Sequence, residues 1–138
     1  MDDEFDLCLV LNTRMAARAV TRRADRKLRP FGVTATQFNI LAALQKRPAR
    51  SVTEMAETLA MERTTLSRNL DLVERKGLIT THGAEHGNGR VGSLTPKGEE
   101  LVDAIVPVWR QSQQELRSGL DEDALQGLIA TLRHLAKD

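Results

Sequence analysis

Apolar positions recur every three or four residues along most of the chain, and one stretch breaks that period. Leu9, Ala16, Val20, Ala24 and Leu28 predict a long first helix over residues 5–29. Pro30 ends it, because the residue before a proline avoids the helical region. A second helix starts at Thr34, with Phe38, Leu41 and Leu44 as its stripe and Lys46-Arg47-Pro48 as its close. Its Thr34-x-x-Gln37 start fits a capping box, in which the hydroxyl accepts from a free N–H and the amide reaches back. Ser51-x-x-Glu54 opens a short third helix through Leu59, with Val52, Met55, Ala56 and Leu59 facing inward. The fourth lies in MERTTLSRNLDLVERKGLI, Met61 to Ile79, on a stripe of Leu66, Leu70 and Val73, and stops at Gly77.

From Leu78 the period changes. LITTH and RVGSL are short and extended in character, and glycine-rich GAEHGNG lies between them, which predicts a β-hairpin. Thr95-Pro96 then opens a helix to about Leu116, with Pro107 inside it, and Asp121 caps a last helix through about His134. The order is α-α-α-α-β-β-α-α: mainly α with a small β-hairpin wing, in one domain.

The fourth helix is unusually decorated. Opposite its apolar stripe the first turns carry Arg63, Thr64, Thr65, Ser67, Arg68 and Asn69. Two short helices joined tightly, the second decorated in this way, match a helix-turn-helix whose second helix enters the DNA major groove. The residue types suit that role, since arginine can grip guanine and asparagine adenine through two hydrogen bonds, while hydroxyls bond phosphates. The competing reading is a solvated polar face. Arg90 is the one basic residue at the hairpin tip, where a flexible wing would reach a narrow minor groove; an ordinary exposed turn is the alternative.

Charge adds an asymmetry. Across 138 residues the net charge is only +1, but residues 14–29 hold seven bases against one acid, whereas residues 95–138 hold five bases against eight acids. That permits a polyanionic partner without demanding one. Aromatics are 3% with no tyrosine, which argues against stacking platforms for single strands. No apolar run approaches the ~20 residues of a membrane span. The acidic start MDDEFD does not read as a secretory signal, and one cysteine excludes an intrachain disulfide framework, so a cytoplasmic location is expected.

Taken together, VTATQFNILAAL, SVTEMAETLAMERTTLSRNLDLVERKGLI, NGR and LTPKGEEL resemble the multiple-antibiotic-resistance regulator (MarR) family of winged helix-turn-helix transcription factors, in family order and over nearly the whole chain. The resemblance implies an obligate homodimer with a helical dimerisation lobe from residues 1–30 and 96–138, and a winged helix-turn-helix in 34–95. By family position Thr64, Thr65, Ser67, Arg68 and Asn69 face DNA, and Arg90 is the wing arginine. The family wing usually carries an Asp two residues before that arginine; here Asn88 stands there.

Other residues carry further expectations. A branch of the family senses hydroperoxides through a cysteine placed like Cys8; this chain lacks the supporting tyrosines, and a small apolar filler is the alternative. His82-Gly-Ala-Glu85-His86 matches an inverted zinc-peptidase pattern, but a hairpin does not supply the helix that would put both histidines on one metal. Trp109, with Ile105, Val106 and Val108, reads first as core. Family members bind small aromatic or lipophilic acids between lobe and winged domain, and Trp109 and the basic residues of the first helix lie on segments that could line such a cleft. The expectation is therefore a homodimeric repressor of near-palindromic operators on double-stranded DNA, with no catalysis, cofactor or metal. A metallopeptidase-like enzyme on His82, Glu85 and His86, and a dimeric interaction module without DNA binding, are the alternatives.

Overall fold

The structure is a computed structural model that describes residues 2–47, 50–83 and 89–137. The expected first helix is two. Helix α1 (Asp2–Asp6) stops, and α2 (Leu9–Leu28) begins after a break at Leu7 and Cys8. Asn12 holds the break open: its amide donates to the carbonyls of Asp6 and Cys8, both at 2.8 Å, while the Cys8 N–H closes onto Phe5 O at 3.0 Å. Apolar spacing cannot show such a break, because side-chain-to-backbone bonds cause it. Pro30 sits in a single 3-10 turn, Arg29–Phe31, which Gly32 ends.

Helix α3 (Ala35–Lys46) has both halves of its capping box: Thr34 Oγ1 accepts from Gln37 N, and Gln37 Oε1 from Thr34 N. Asp25 of α2 also accepts from Ala35 N at 2.7 Å, so a second acceptor from outside the helix fixes the first turn of α3. This helix is the hub. It packs against α2, α4 (Val52–Leu59), α5 (Arg63–Arg75), α6 (Pro96–Arg117) and the central strand. Ile40, Leu41 and Leu44 are buried with Met55 from α4, Leu66 and Leu70 from α5, and Val102 and Ile105 from α6. Trp109, whose spacing suggests core, is 44% exposed instead.

The hairpin strands are β2 (Ile79–His82) and β3 (Val91–Leu94), antiparallel, with Ile79 opposite Leu94 and His82 opposite Val91. A two-residue strand that the apolar pattern does not predict, β1 (Arg50–Ser51), pairs with the other edge of β3 and makes a three-stranded sheet. Two residues are too few for an alternation pattern to reveal. Helix α7 (Glu122–Leu135) is capped by Asp121, whose carboxylate accepts from Ala124 N at 2.7 Å.

The LTPKG segment joins the two halves. Thr95 N donates to Leu78 O at 3.0 Å and Thr95 Oγ1 to Gly77 O at 2.6 Å, while Lys97 Nζ reaches Lys76 O at 2.9 Å. These are the carbonyls that follow α5, where Gly77 takes the left-handed turn at φ 76°. A Cβ on Gly98 would run into the carbonyl oxygen of Leu78, a backbone atom rather than a flexible side chain. Gly98→Ala should therefore lower stability at or above the upper end of the roughly 1–3 kcal/mol typical of overpacking. Urea unfolding at fixed protomer concentration checks this; a loss near zero would mean that α6 slides freely on α5.

Candidate nucleic-acid interface

Helix α5 turns a polar face outward. Its inner stripe, Leu66, Leu70 and Val73, is fully buried, which fixes its rotation about its own axis. That rotation leaves Arg63, Thr64, Thr65 and Arg68 exposed, with Ser67 and Asn69 half-buried. The left-handed Ala60 (φ 51°) turns the chain between α4 and α5. No side chain at the Glu62 N-cap position bonds to the free N–H groups of the first turn. A helix start with uncapped N–H groups and flanking hydroxyls suits a phosphate oxygen.

Two expected residues are less free than the sequence implies. Asn69 donates from its amide to Thr65 O at 2.9 Å, so base reading by that nitrogen would first have to break this bond. Arg90 is not at a free tip. It is 4% exposed, its Nη2 lies 2.8 Å from Asp71 Oδ1 and 3.5 Å from Glu74 Oε1, and its carbonyl accepts from Val52 N at 2.9 Å. The expectation of a flexible, solvent-facing wing arginine is corrected: opposite charges on α5 draw the guanidinium in. The tip, with Glu85, His86 and Asn88, lies outside the described residues.

Glu74 serves the same seam. Its Oε2 accepts from both the N–H and the hydroxyl of Thr81 in β2, each at 2.7 Å. Sequence reasoning misses Asp71, Glu74 and Thr81. Ser67, Asp71 and Glu74 do share one side of a helix by spacing, but nothing in a single sequence says that a strand lies along that side.

His82 ends strand β2 and is exposed, so the helical arrangement required of an H-x-x-E-H metal site is not formed at its first ligand. Among the described residues no group of three or more His, Cys, Asp or Glu is placed to hold a metal. Cys8 is a half-exposed free thiol at the N-cap position of α2.

A second feature is a cleft of about 180 Å³ between α2, α3 and α6. Val20, Ala24, Leu28, Phe38 and Trp109 give it apolar walls, and Lys27 is its one charged lining residue. Lys27 Nζ pairs with Glu115 of α6 at 2.6 Å. The arginines of the basic run Arg14–Arg29 do not line this cleft, and all of them are exposed.

A family model described as the MarR family matches residues 31–89. Across nearly the whole chain the fold is similar to solved transcription regulators. The transcriptional regulator MosR of M. tuberculosis is 36% identical, with 96% of this chain and 97% of that one aligned at a TM-score of 0.84. A complex of MosR with DNA gives 35% identity, 94% and 96% coverage and a TM-score of 0.80. A complex of S. aureus MepR with DNA gives 27% identity, 93% and 96% coverage and a TM-score of 0.79.

The Glu74 seam is open to a direct test. Glu74→Ala removes the acceptor of two short bonds from Thr81 and should cost roughly 1–3 kcal/mol. Amide exchange at Thr81 should speed up more than exchange in α3. Uniform acceleration, or none at Thr81, would show that the bonds carry no local weight.

Proposed function

The chain belongs to the MarR family of transcriptional regulators, and from that premise we propose that it is a homodimeric, sequence-specific repressor that binds double-stranded DNA. The observation that carries the reading is the outer face of α5: a helix locked by its buried stripe, with Arg63, Thr64, Thr65, Ser67 and Arg68 turned outward around an uncapped N-terminus. Occupying an operator keeps other proteins from the same groove, which makes repression the simplest outcome of binding.

Dimerisation is supported by uncovered apolar surface. On α7, Leu128, Ile129, Leu132 and Leu135 are 39–45% exposed, and they fall at the spacing of one helical face. Phe5, Leu7, Leu9 and Val10 at the other end of the chain are 60–79% exposed. Contiguous apolar surface of this kind marks an interaction site, and a second copy presenting the same faces fits it with two-fold symmetry. Residues 1–30 and 96–138 would then form the lobe, and 34–95 the reading head.

The cleft beside Trp109 suits a small aromatic or lipophilic effector, and Lys27 offers an acid a counter-charge. No helix among the described residues is long and apolar enough to cross a membrane, in keeping with a cytoplasmic regulator. Cys8, half-exposed at the α1–α2 break, would act as a redox input only if its oxidation altered DNA binding.

Selection of bound sequences from a random DNA pool tests the function. A near-palindrome is expected, with half-sites about one helical turn apart, because two reading heads related by a two-fold axis read two inverted half-sites. Enrichment of no sequence would favour a dimeric interaction module without DNA binding. On the selected operator, Arg68→Ala should weaken specific binding by roughly 1–3 kcal/mol and random-DNA binding much less. Equal losses on both would mean that Arg68 touches phosphate alone.

A further inference from the structure

Resting on the homodimeric DNA-binding reading, we propose that Asp25 is a positioning residue: its bond to the first residue of α3 sets the angle of the reading head on the lobe, and with it the half-site spacing that the dimer accepts. Asp25 is the one acid among the seven bases of residues 14–29. Helical spacing puts Arg22 and Arg29 within reach of it, three residues before and four after. Among the described residues it forms an ion pair with neither. Its half-buried carboxylate turns across to α3 instead and accepts from Ala35 N at 2.7 Å. No other hydrogen bond among the described residues joins these two helices. Two residues on, Lys27 ties α2 to α6 through Glu115. Helix α2 is thus fastened to the lobe at Lys27 and to the reading head at Asp25.

Apolar packing alone does not fix the angle between α2 and α3. Close-packed faces resist rotation because their side chains interlock. Here the packing is interrupted by the cleft of about 180 Å³, which Ala24, Leu28, Ala35 and Phe38 all line. A hydrogen bond is directional where apolar contact is not. The capping box of α3 does not supply the acceptor. Thr34 Oγ1 takes Gln37 N and Gln37 Oε1 takes Thr34 N, which leaves Ala35 N to a group from outside the helix. A carboxylate at a helix start also meets the positive end of the helix dipole, which strengthens the bond. Because α3 is the hub on which α5 packs, a rotation of α3 against α2 carries the outer face of α5 with it. In a two-fold dimer both heads move, and one base pair of spacing is only about 3.4 Å and about a tenth of a turn.

The test uses the full-length dimer with two variants that remove the bond from opposite sides. Asp25→Ala removes the acceptor. Ala35→Pro removes the donor and keeps the charge; proline suits the first position of a helix, and the extended Thr34 before it (φ −90°, ψ 167°) accepts one. Each is measured on the selected operator and on operators one base pair longer and shorter between half-sites. In both variants the preference for the selected spacing should fall by roughly tenfold, the effect expected of one charge-assisted bond. The double variant should be no looser than either, because both remove the same bond. A second readout needs no DNA. With a spin label at Arg75→Cys in a Cys8→Ser background, the label-to-label distances across the dimer should spread more widely in both variants. If the wild type selects no sequence, the functional reading falls, and the label distances still decide whether the bond sets the angle of the head. Equal loss of affinity at every spacing, with label distances as narrow as in the wild type, overturns the proposal, since a bond that serves only the stability of α3 would act that way. A wild-type result for Ala35→Pro beside a loosened Asp25→Ala also overturns it, by assigning the effect to the charge and not to the bond. Should Asp25→Ala fail to fold, Ala35→Pro alone supplies both readouts.

Discussion

The backbone carbonyls of Lys76, Gly77 and Leu78 are what the two halves of the molecule share. They lie just past the end of α5, whose own last carbonyls at Leu72, Val73 and Glu74 accept from the N–H groups of Lys76, Leu78 and Gly77. Their own partners come from α6 and its cap: Lys97 Nζ, Thr95 Oγ1 and Thr95 N. Gly98 lets α6 come so close that no side chain fits between. From the other direction Lys76 Nζ donates to Gly32 O at 2.6 Å and to Gln37 Oε1 at 3.2 Å, which fastens the same corner to the start of α3. The corner is polar, local and crowded, and the apolar core of α3, α5 and α6 lies directly behind it. The orientation of α5 relative to α6 therefore rests on a few atoms as well as on the bulk of buried surface.

Much of this is legible in the residues. Thr34, Ser51, Thr95 and Asp121 each cap the helix that their spacing predicts, because capping is local chemistry that needs no knowledge of the fold. The stripes of α3, α4 and α5 are the buried core for the same reason. What is not legible requires partners far along the chain. The Asp71–Arg90 bond spans nineteen residues and depends on the path of the hairpin. Strand β1 exists because β3 lies beside it. Asn12 breaks the first helix by bonding to carbonyls that a period count treats as already satisfied. Trp109 shows the limit of hydropathy: a large apolar residue at core spacing lines a cleft instead.

The charge pattern also changes meaning once the fold is known. The arginines of α2 stay out of the cleft, whereas Lys27 alone turns in and pairs with Glu115 of the acidic half. Net charge near zero thus conceals a chain whose α5 is basic on its outer face at Arg63 and Arg68, while Arg90 pairs with the acids Asp71 and Glu74 of the same helix. The small overall charge does not count against a polyanionic ligand, because what DNA meets is the local field.

Pro107 gives α6 a mechanical character. It lies eleven residues from Pro96, so about 16 Å of helix separates it from the corner where α6 grips α5. Having no N–H, it leaves the Asp103 carbonyl without its usual helical donor and weakens the helix at this point. The residues beyond it, Val108, Trp109, Ser112, Gln113 and Leu116, form one wall of the cleft. Helix α6 is thus a jointed lever, with the cleft on one arm and α5 fastened to the end of the other. A flexure of about 10° at the joint carries that far end through about 3 Å, well beyond the ~1 Å that separates a hydrogen bond made from one lost.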